Sequence, residues 1–167
     1  MDSDDKGLLG SRPTGALRLA FRLPIYLYRL HLGWILGHRF LLLIHFGRRT
    51  GRVRQTVLEV VRYDPANRES VVVSAWGERA DWYRNARAGR AIEVQTGRER
   101  YTPMHRFLGP EEAHATIMDY ERDHPWLIVI FGGVFGYPLR GSREERQSFA
   151  RSLRMVAFRP QPPASVA

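Results

Sequence analysis

A chain of 167 residues, 44% hydrophobic and 26% charged, has the composition of one globular domain with a sizeable core. It has no cysteine, which excludes disulfides and thiolate metal sites and fits a reducing compartment. Its 26 basic against 17 acidic side chains leave a net charge of +9, which points to an anionic partner: nucleic acid, an acidic membrane surface or a multiply charged small molecule.

The opening residues Met1-Asp2-Ser3-Asp4-Asp5 are acidic where a secretory leader is basic, so a cytoplasmic address is expected, with residues 1–15 a disordered arm. Residues 16–37 read as an amphipathic helix. Arg18, Arg22 and Arg29, spaced by four and seven residues, fall on one helical stripe. Leu19, Phe21, Leu23, Ile25, Leu30 and Trp34 are among the apolar residues covering the remaining surface. Two readings fit. One is a helix lying peripherally on anionic lipid at the inner face of the cell membrane; the other is a core-packing helix with Pro24 at a kink.

Phe40–Phe46 is a continuous apolar run, as in a strand buried on both faces. From Thr56 to Tyr63, Val57, Glu59 and Val61 alternate with Leu58, Val60 and Arg62, which predicts a second strand. Asp64-Pro65-Ala66-Asn67 is a turn signal, and Ser70–Ala75 returns from it as a hairpin. Asp81–Ala88 reads as a short helix stopped by Gly89. Ala91–Thr96 alternates, Gly97 turns, and Glu99–Phe107 pairs back as another hairpin. Gly109-Pro110-Glu111-Glu112 opens a helix to about Asp123, with proline and acids in its first turn. Ser142-Arg143-Glu144-Glu145 has capping-box spacing for a helix reaching Ser148 or beyond. Leu153–Phe158 is the last strand, and residues 160–167 are expected to fray.

About six strands in hairpins, with helices inserted rather than alternating, predict a mainly β chain with helices (α+β), an antiparallel barrel or sandwich over residues 38–159. A parallel doubly wound sheet lacks its helical crossovers here. Two phosphate sites are thereby excluded. A Rossmann turn joins a strand to a helix, whereas the glycine loop after Phe46 joins strand to strand. The Walker pattern fails because Gly47 to Arg52 lacks both its glycine spacing and its lysine-Ser/Thr ending.

That loop, Gly47-Arg48-Arg49-Thr50-Gly51-Arg52-Val53-Arg54, is the first candidate site. Glycines at both ends allow a sharp turn and close approach of backbone to a ligand. Arginine forks and backbone N–H groups converging there suit a phosphate or carboxylate; a solvated turn is the alternative. The second candidate is Ser74-Ala75-Trp76-Gly77, followed by Asp81-Trp82-Tyr83-Arg84-Asn85. Small residues at a strand end let a planar ring lie against backbone amides. Trp76, Trp82 and Tyr83 can wall such a ring and Asn85 can offer a directional amide, or Trp82 and Tyr83 simply pack a helix onto the barrel. His45, His105 and His114 read as structural, and no metal site is expected.

The ordered combination of these pieces resembles the deazaflavin-dependent nitroreductase family, split β-barrel flavin/deazaflavin oxidoreductases with an FMN-binding-like fold. The resemblance covers Phe40 to Phe107 well and the flanks loosely. It implies an oxidoreductase using coenzyme F420, a deazaflavin with a phospholactyl group and an oligoglutamate tail, and it places phosphate and tail at Arg48, Arg49, Thr50 and Arg54, with Gly51 among the cofactor-binding residues of the same loop. Thr56, Val57 and Leu58 follow on the strand; Ser74, Ala75, Trp76 and Gly77 would face the ring, with Trp82, Tyr83 and Asn85 closing that side. Reduced cofactor would pass hydride to an electron-poor apolar acceptor such as a quinone, enone or nitroaromatic. The family's tyrosine-bearing segment reads His124-Pro125-Trp126-Leu127-Ile128-Val129-Ile130-Phe131 here, which leaves Tyr137, His124 or solvent as proton source. FMN- or haem-binding members of the same barrel class, and a non-catalytic binder of acidic lipid, are the competing readings. Nucleic acid is not expected, because the aromatics cluster in apolar runs. Monomer and homodimer are both compatible with the sequence.

Overall fold

The computed structural model describes residue 28 and residues 33–74, 76–125 and 141–162. Along the chain run β1 (Phe40–Phe46), β2 (Val53–Asp64), β3 (Glu69–Ser74), α1 (Asp81–Arg87), β4 (Ala91–Thr96), β5 (Glu99–Tyr101), β6 (Pro103–Phe107), α2 (Pro110–Asp123), α3 (Arg143–Ser152) and β7 (Arg154–Pro160). The strands form one antiparallel sheet in the order β5-β4-β1-β2-β3-β7-β6. Its two edge strands, β5 and β6, are separated in the chain by Thr102 alone. The sheet must therefore curl back on itself, and it becomes a nearly closed barrel.

The expected strand Glu99–Phe107 is thus two strands, and the sheet has seven where about six were expected. β5 pairs with β4 (Val94↔Tyr101) and β6 with β7 (His105↔Phe158). Pro103, with no N–H for a ladder, sits at the start of β6 where the partner changes. β2 starts at Val53 rather than Thr56 and runs 12 residues, because both halves of the barrel use it. Its first part pairs with β1 and its last with β3, with a register shift between Val60 and Arg62. The tail is held longer than expected: Pro160 closes β7, and Gln161 N donates to Thr102 O at 3.3 Å.

Of the helix expected over 16–37, Tyr28 is helical, but Gly33–Leu36 is a 3-10 turn ended by Gly37 at φ 54°. The remainder, including Arg18, Arg22 and Arg29, lies outside the described residues. The helix from Pro110 to Asp123 forms as expected, and Ser142 closes a complete capping box with Glu145 at the start of α3.

Strand alternation sorts the apolar residues into two cores. Leu41, Leu43, Leu58, Val60, Val72, Val94, Val156 and Phe158 fill the barrel, and Trp82, Tyr83 and Ala86 of α1 plug one end. Val71, Met155 and Ala157 point outward, where Ala113, Ile117 and Tyr120 of α2 and Ala150 of α3 cover them. Val71 and Val72 are thus neighbours in sequence but belong to different cores, as a period of two requires. Full burial of a side chain such as Phe158 stabilises by roughly 1.5–3 kcal/mol.

An ion-pair lattice clamps α2 to the outer face. Arg106 Nη2 donates to Glu69 Oε1 at 2.7 Å and to Glu112 Oε1 at 2.8 Å. Arg62 also donates to Glu112, at 2.8 Å, and to Thr116 Oγ1, at 2.9 Å.

Candidate functional site

β1 ends in the Gly47 loop, and the loop's own backbone sets its shape. Gly47 N donates to Arg52 O at 2.8 Å and Gly51 N donates to Gly47 O at 2.7 Å. Gly51 has φ 63°, a conformation costly for a residue with a Cβ. A Cβ on Gly47 would lie 2.8 Å from Thr50 Oγ1, so a larger residue there would force the Thr50 side chain to turn, whereas at Gly51 the backbone itself favours glycine.

The loop is latched to α1. Arg48 donates to Asn85 Oδ1 twice, from its backbone N at 3.1 Å and from Nη1 at 3.3 Å. The same Nη1 reaches Asp81 Oδ1 at 2.9 Å, and that guanidinium holds the Asp81 carboxyl below the usual carboxylate range. Asn85 Nδ2 meets His45 Nδ1 at 3.0 Å, and His45 Nε2 meets Thr56 Oγ1 at 3.2 Å. His45 is 2% exposed and Asn85 3%. Burial lowers the His45 pKa from its ordinary value, outweighing the Phe46 backbone hydrogen bond that raises it; of the nearby charges Arg54 lowers it and Asp81 raises it. A register shift between β1 and β4 falls between Ile44 and His45, a bulge at the point where the chain leaves the sheet for the loop.

These placements revise the expected roles of several residues. Asn85 spends its amide on Arg48 and His45, which makes it a brace between the loop and β1. Arg48 is turned inward to Asp81 and Asn85. Trp82 (6% exposed) and Tyr83 (5%) pack the barrel interior, which is the packing alternative for both. Val57 lies on the opposite face of β2 from Thr56 and Leu58, so these three cannot line one surface; Leu58 belongs to the interior core. Ser74 is buried and its Oγ donates to Gly77 O at 2.7 Å, fixing the turn in which Gly77 has φ 53°. Trp76 is 65% exposed beside it. Ala75 and Tyr137 lie outside the described residues. His124 caps α2 with its ring against Tyr120, whose hydroxyl donates to Glu59 on the outer face of the barrel. It therefore belongs to the outer helical layer, away from the loop.

What remains free is the basic surface. Arg49, Arg52 and Arg54 are exposed and form no ion pair within 4 Å among the described residues, although the Arg49 charge reaches Asp81, and Arg90, just before β4, is likewise outside any such pair. Arg90 is tied into the same rim, because its backbone N donates to Asn85 O and its O accepts from Phe46 N, both at 2.9 Å. By contrast Arg62, Arg68, Arg106 and Arg154 each pair with a glutamate. Four unpaired guanidiniums on one barrel rim suit a ligand with phosphate and several carboxylates. Arg90 and His45 were not legible as site residues: Arg90 is adjacent to the loop only through strand pairing, and a single histidine in an apolar strand reads as core.

A separate cleft of about 420 Å3 lies between Tyr28, Trp34 and the β4–β5 turn, at the opposite end of β4 from the loop. No group of three or more His, Asp or Glu side chains placed to hold a metal occurs among the described residues. No described helix is long and apolar enough to cross a membrane.

Comparison with known proteins follows the same lines. No curated relative matches the chain. A solved structure described as an F420-H2 dependent reductase (FDR-A) is similar at 17% identity, with 73% of this chain and 95% of that chain covered and a TM-score of 0.46. A structure described as a domain-swapped dimer matches at 18% identity over 81% of this chain and 98% of that one, with a TM-score of 0.41. The protein Atu2129 from Agrobacterium tumefaciens, described as of unknown function, matches at 12% identity over 92% of this chain and 59% of that one, with a TM-score of 0.49. The sequence profile of the F420H(2)-dependent quinone reductase family matches residues 29–122, more than half of the chain. The chain belongs to that family, and it is an oxidoreductase whose cofactor is coenzyme F420.

Proposed function

We propose that this enzyme moves a hydride from reduced F420 to an electron-poor apolar acceptor of the quinone, enone or nitroaromatic type, with the cofactor's anionic half on the arginine rim. One observation carries the reading: Arg49, Arg52, Arg54 and Arg90 are unpaired at a rim that the inward-turned Arg48 holds in shape. The bound deazaflavin supplies the hydride at its ring, and the protein's share is binding and orientation. Arg49, Arg52 and Arg54 neutralise phosphate and carboxylates, each such charge-assisted contact contributing roughly 1.5–3 kcal/mol. Gly47 and Gly51 let the loop backbone come close. Thr56 is held by His45, and the exposed Trp76 offers an aromatic face beside the Ser74–Gly77 turn.

The test is binding and turnover with purified protein. Fluorescence titration with F420 at two salt concentrations is expected to show tight, salt-sensitive binding, and F420H2 is expected to support reduction of a soluble quinone where reduced nicotinamide does not. Tighter binding of FMN than of F420, with equal turnover from reduced FMN, would overturn the assignment.

A further inference from the structure

We propose that His45 is a positioning residue for the arginine rim, which it holds in shape only while its imidazole is neutral and protonated on Nε2. The inference rests on the rim being the cofactor's anion site, but its geometry is independent of any ligand.

Proton directions along the latch follow by elimination. Both Arg48 groups that meet Asn85 are donors, so the atom facing them is the amide oxygen. The Asn85 NH2 then faces His45, and an NH2 only donates. His45 Nδ1 must therefore be the bare nitrogen, which leaves the proton on Nε2, donated to Thr56 Oγ1. Every hydrogen bond from Arg48 to Thr56 is thus assigned, and none can be reversed alone.

An imidazolium breaks this chain. With protons on both nitrogens it sets Nδ1–H against the Asn85 NH2, two donors face to face. Turning the amide over relieves that contact but points an NH2 at two Arg48 donors, one of them the loop backbone. Protonation of His45 is therefore incompatible with the latched loop in either amide orientation. The charged groups around the ring act in both directions. The Phe46 backbone and Asp81 on α1 favour the added charge and Arg54 on β2 opposes it, while the Arg48 guanidinium of the loop lies beyond Asn85; Thr56, Asn85 and the Phe46 backbone are its neutral contacts. Burial acts with Arg54 to keep the ring neutral near pH 7.

Three measurements on the full-length protein test this. Long-range proton–nitrogen correlation spectra of the cofactor-free protein are expected to show the Nε2–H tautomer of His45 at pH 7.5. The Arg48 amide, corrected for its intrinsic exchange rate, is expected to lose at least tenfold protection as His45 titrates, while Leu41 and Val94 amides keep theirs. His45→Gln supplies one acceptor and one donor without titrating; it is expected to keep Arg48 protected at pH 7.5 and to remove the pH dependence. His45→Leu is expected to lose that protection at every pH. The Nδ1–H tautomer, Arg48 protection indifferent to pH, or a pH response retained in His45→Gln overturns the proposal. F420 titrations run beside these separate the two readings. If the wild-type protein fails to bind F420, the rim assignment falls while tautomer and exchange still decide the role of His45. If F420 binds and His45→Gln shows the wild-type pH profile of affinity, the His45 proposal alone falls.

Discussion

Arginine is used in opposite ways in two regions of this molecule. On the outer face, Arg62 and Arg106 are each shared between Glu69 and Glu112, and the four side chains bolt α2 onto the β2, β3 and β6 strands. At the loop rim, Arg48 is paired with Asp81, and Arg49, Arg52, Arg54 and Arg90 form no ion pair within 4 Å among the described residues, only the Arg49 charge reaching Asp81 from further off. A surface that leaves several like charges together pays in self-repulsion. The difference separates charge that maintains the fold from charge that we propose is kept for an anion, and it can be broken experimentally in a definite order.

The largest effect is expected at the rim. Replacing Arg49, Arg52 and Arg54 together with alanine should weaken F420 binding by a hundredfold or more, since each contact contributes roughly 1.5–3 kcal/mol. Thermal unfolding should be unchanged or slightly later because repulsion is relieved. Unaltered affinity in the triple variant would remove the rim from the site.

Arg106→Ala should do the converse. It leaves Glu69, whose side chain is 11% exposed, with Arg62 at 3.7 Å as its one cation among the described residues. Breaking a fully buried pair costs about 3–5 kcal/mol; here Arg106 is half-exposed and Arg62 partly compensates, so roughly 2 kcal/mol is expected. That corresponds to a Tm lower by roughly 4–8 °C, read by circular dichroism, with F420 affinity little changed.

Acid should separate the regions further. Arg106 and Arg62 hold the Glu112 carboxyl down to about 2 from 4.5. A depressed acid contributes stability that is fully present above its unfolded value and lost as pH falls from there through its folded value, so the lattice weakens between about 4.5 and 2. For His45 the folded pKa is also lowered, from 6.5, so its contribution is present above 6.5 and is lost as pH falls below that value. Loop exchange should thus begin to rise at a higher pH than global unfolding does. Glu112→Gln should flatten the lower window and leave the upper one intact.

The smallest effect concerns the arginines outside both regions. Arg18, Arg22 and Arg29 share a helical stripe in the sequence, and each contributes roughly 1 kcal/mol near an anionic surface. Salt-sensitive sedimentation with anionic vesicles, lost on removal of residues 1–27, is the expected outcome for a peripheral helix. Absence of sedimentation with the full chain would leave core packing as the reading of that segment.

The sequence by itself determined the hairpins, the capped helices and the glycine-bracketed basic loop, because each rests on local signals: alternation, turn residues, caps and charge. Gly47 and Gly51 announce a tight turn wherever the loop is placed. Local signals cannot report partners, however. The break at Thr102 depends on which strands lie either side of it, and the length of β2 follows from its service to two halves of a barrel. The same holds for the site. Nothing local distinguishes Arg48, gripped by Asp81 and Asn85, from Arg49, left free, and nothing local joins Arg90 or His45 to the loop. Those distinctions arise only when closure of the barrel brings α1 and the start of β4 against the end of β1. A hydrogen bond between residues 37 or 40 positions apart is decided by packing, and packing is a property of the whole chain.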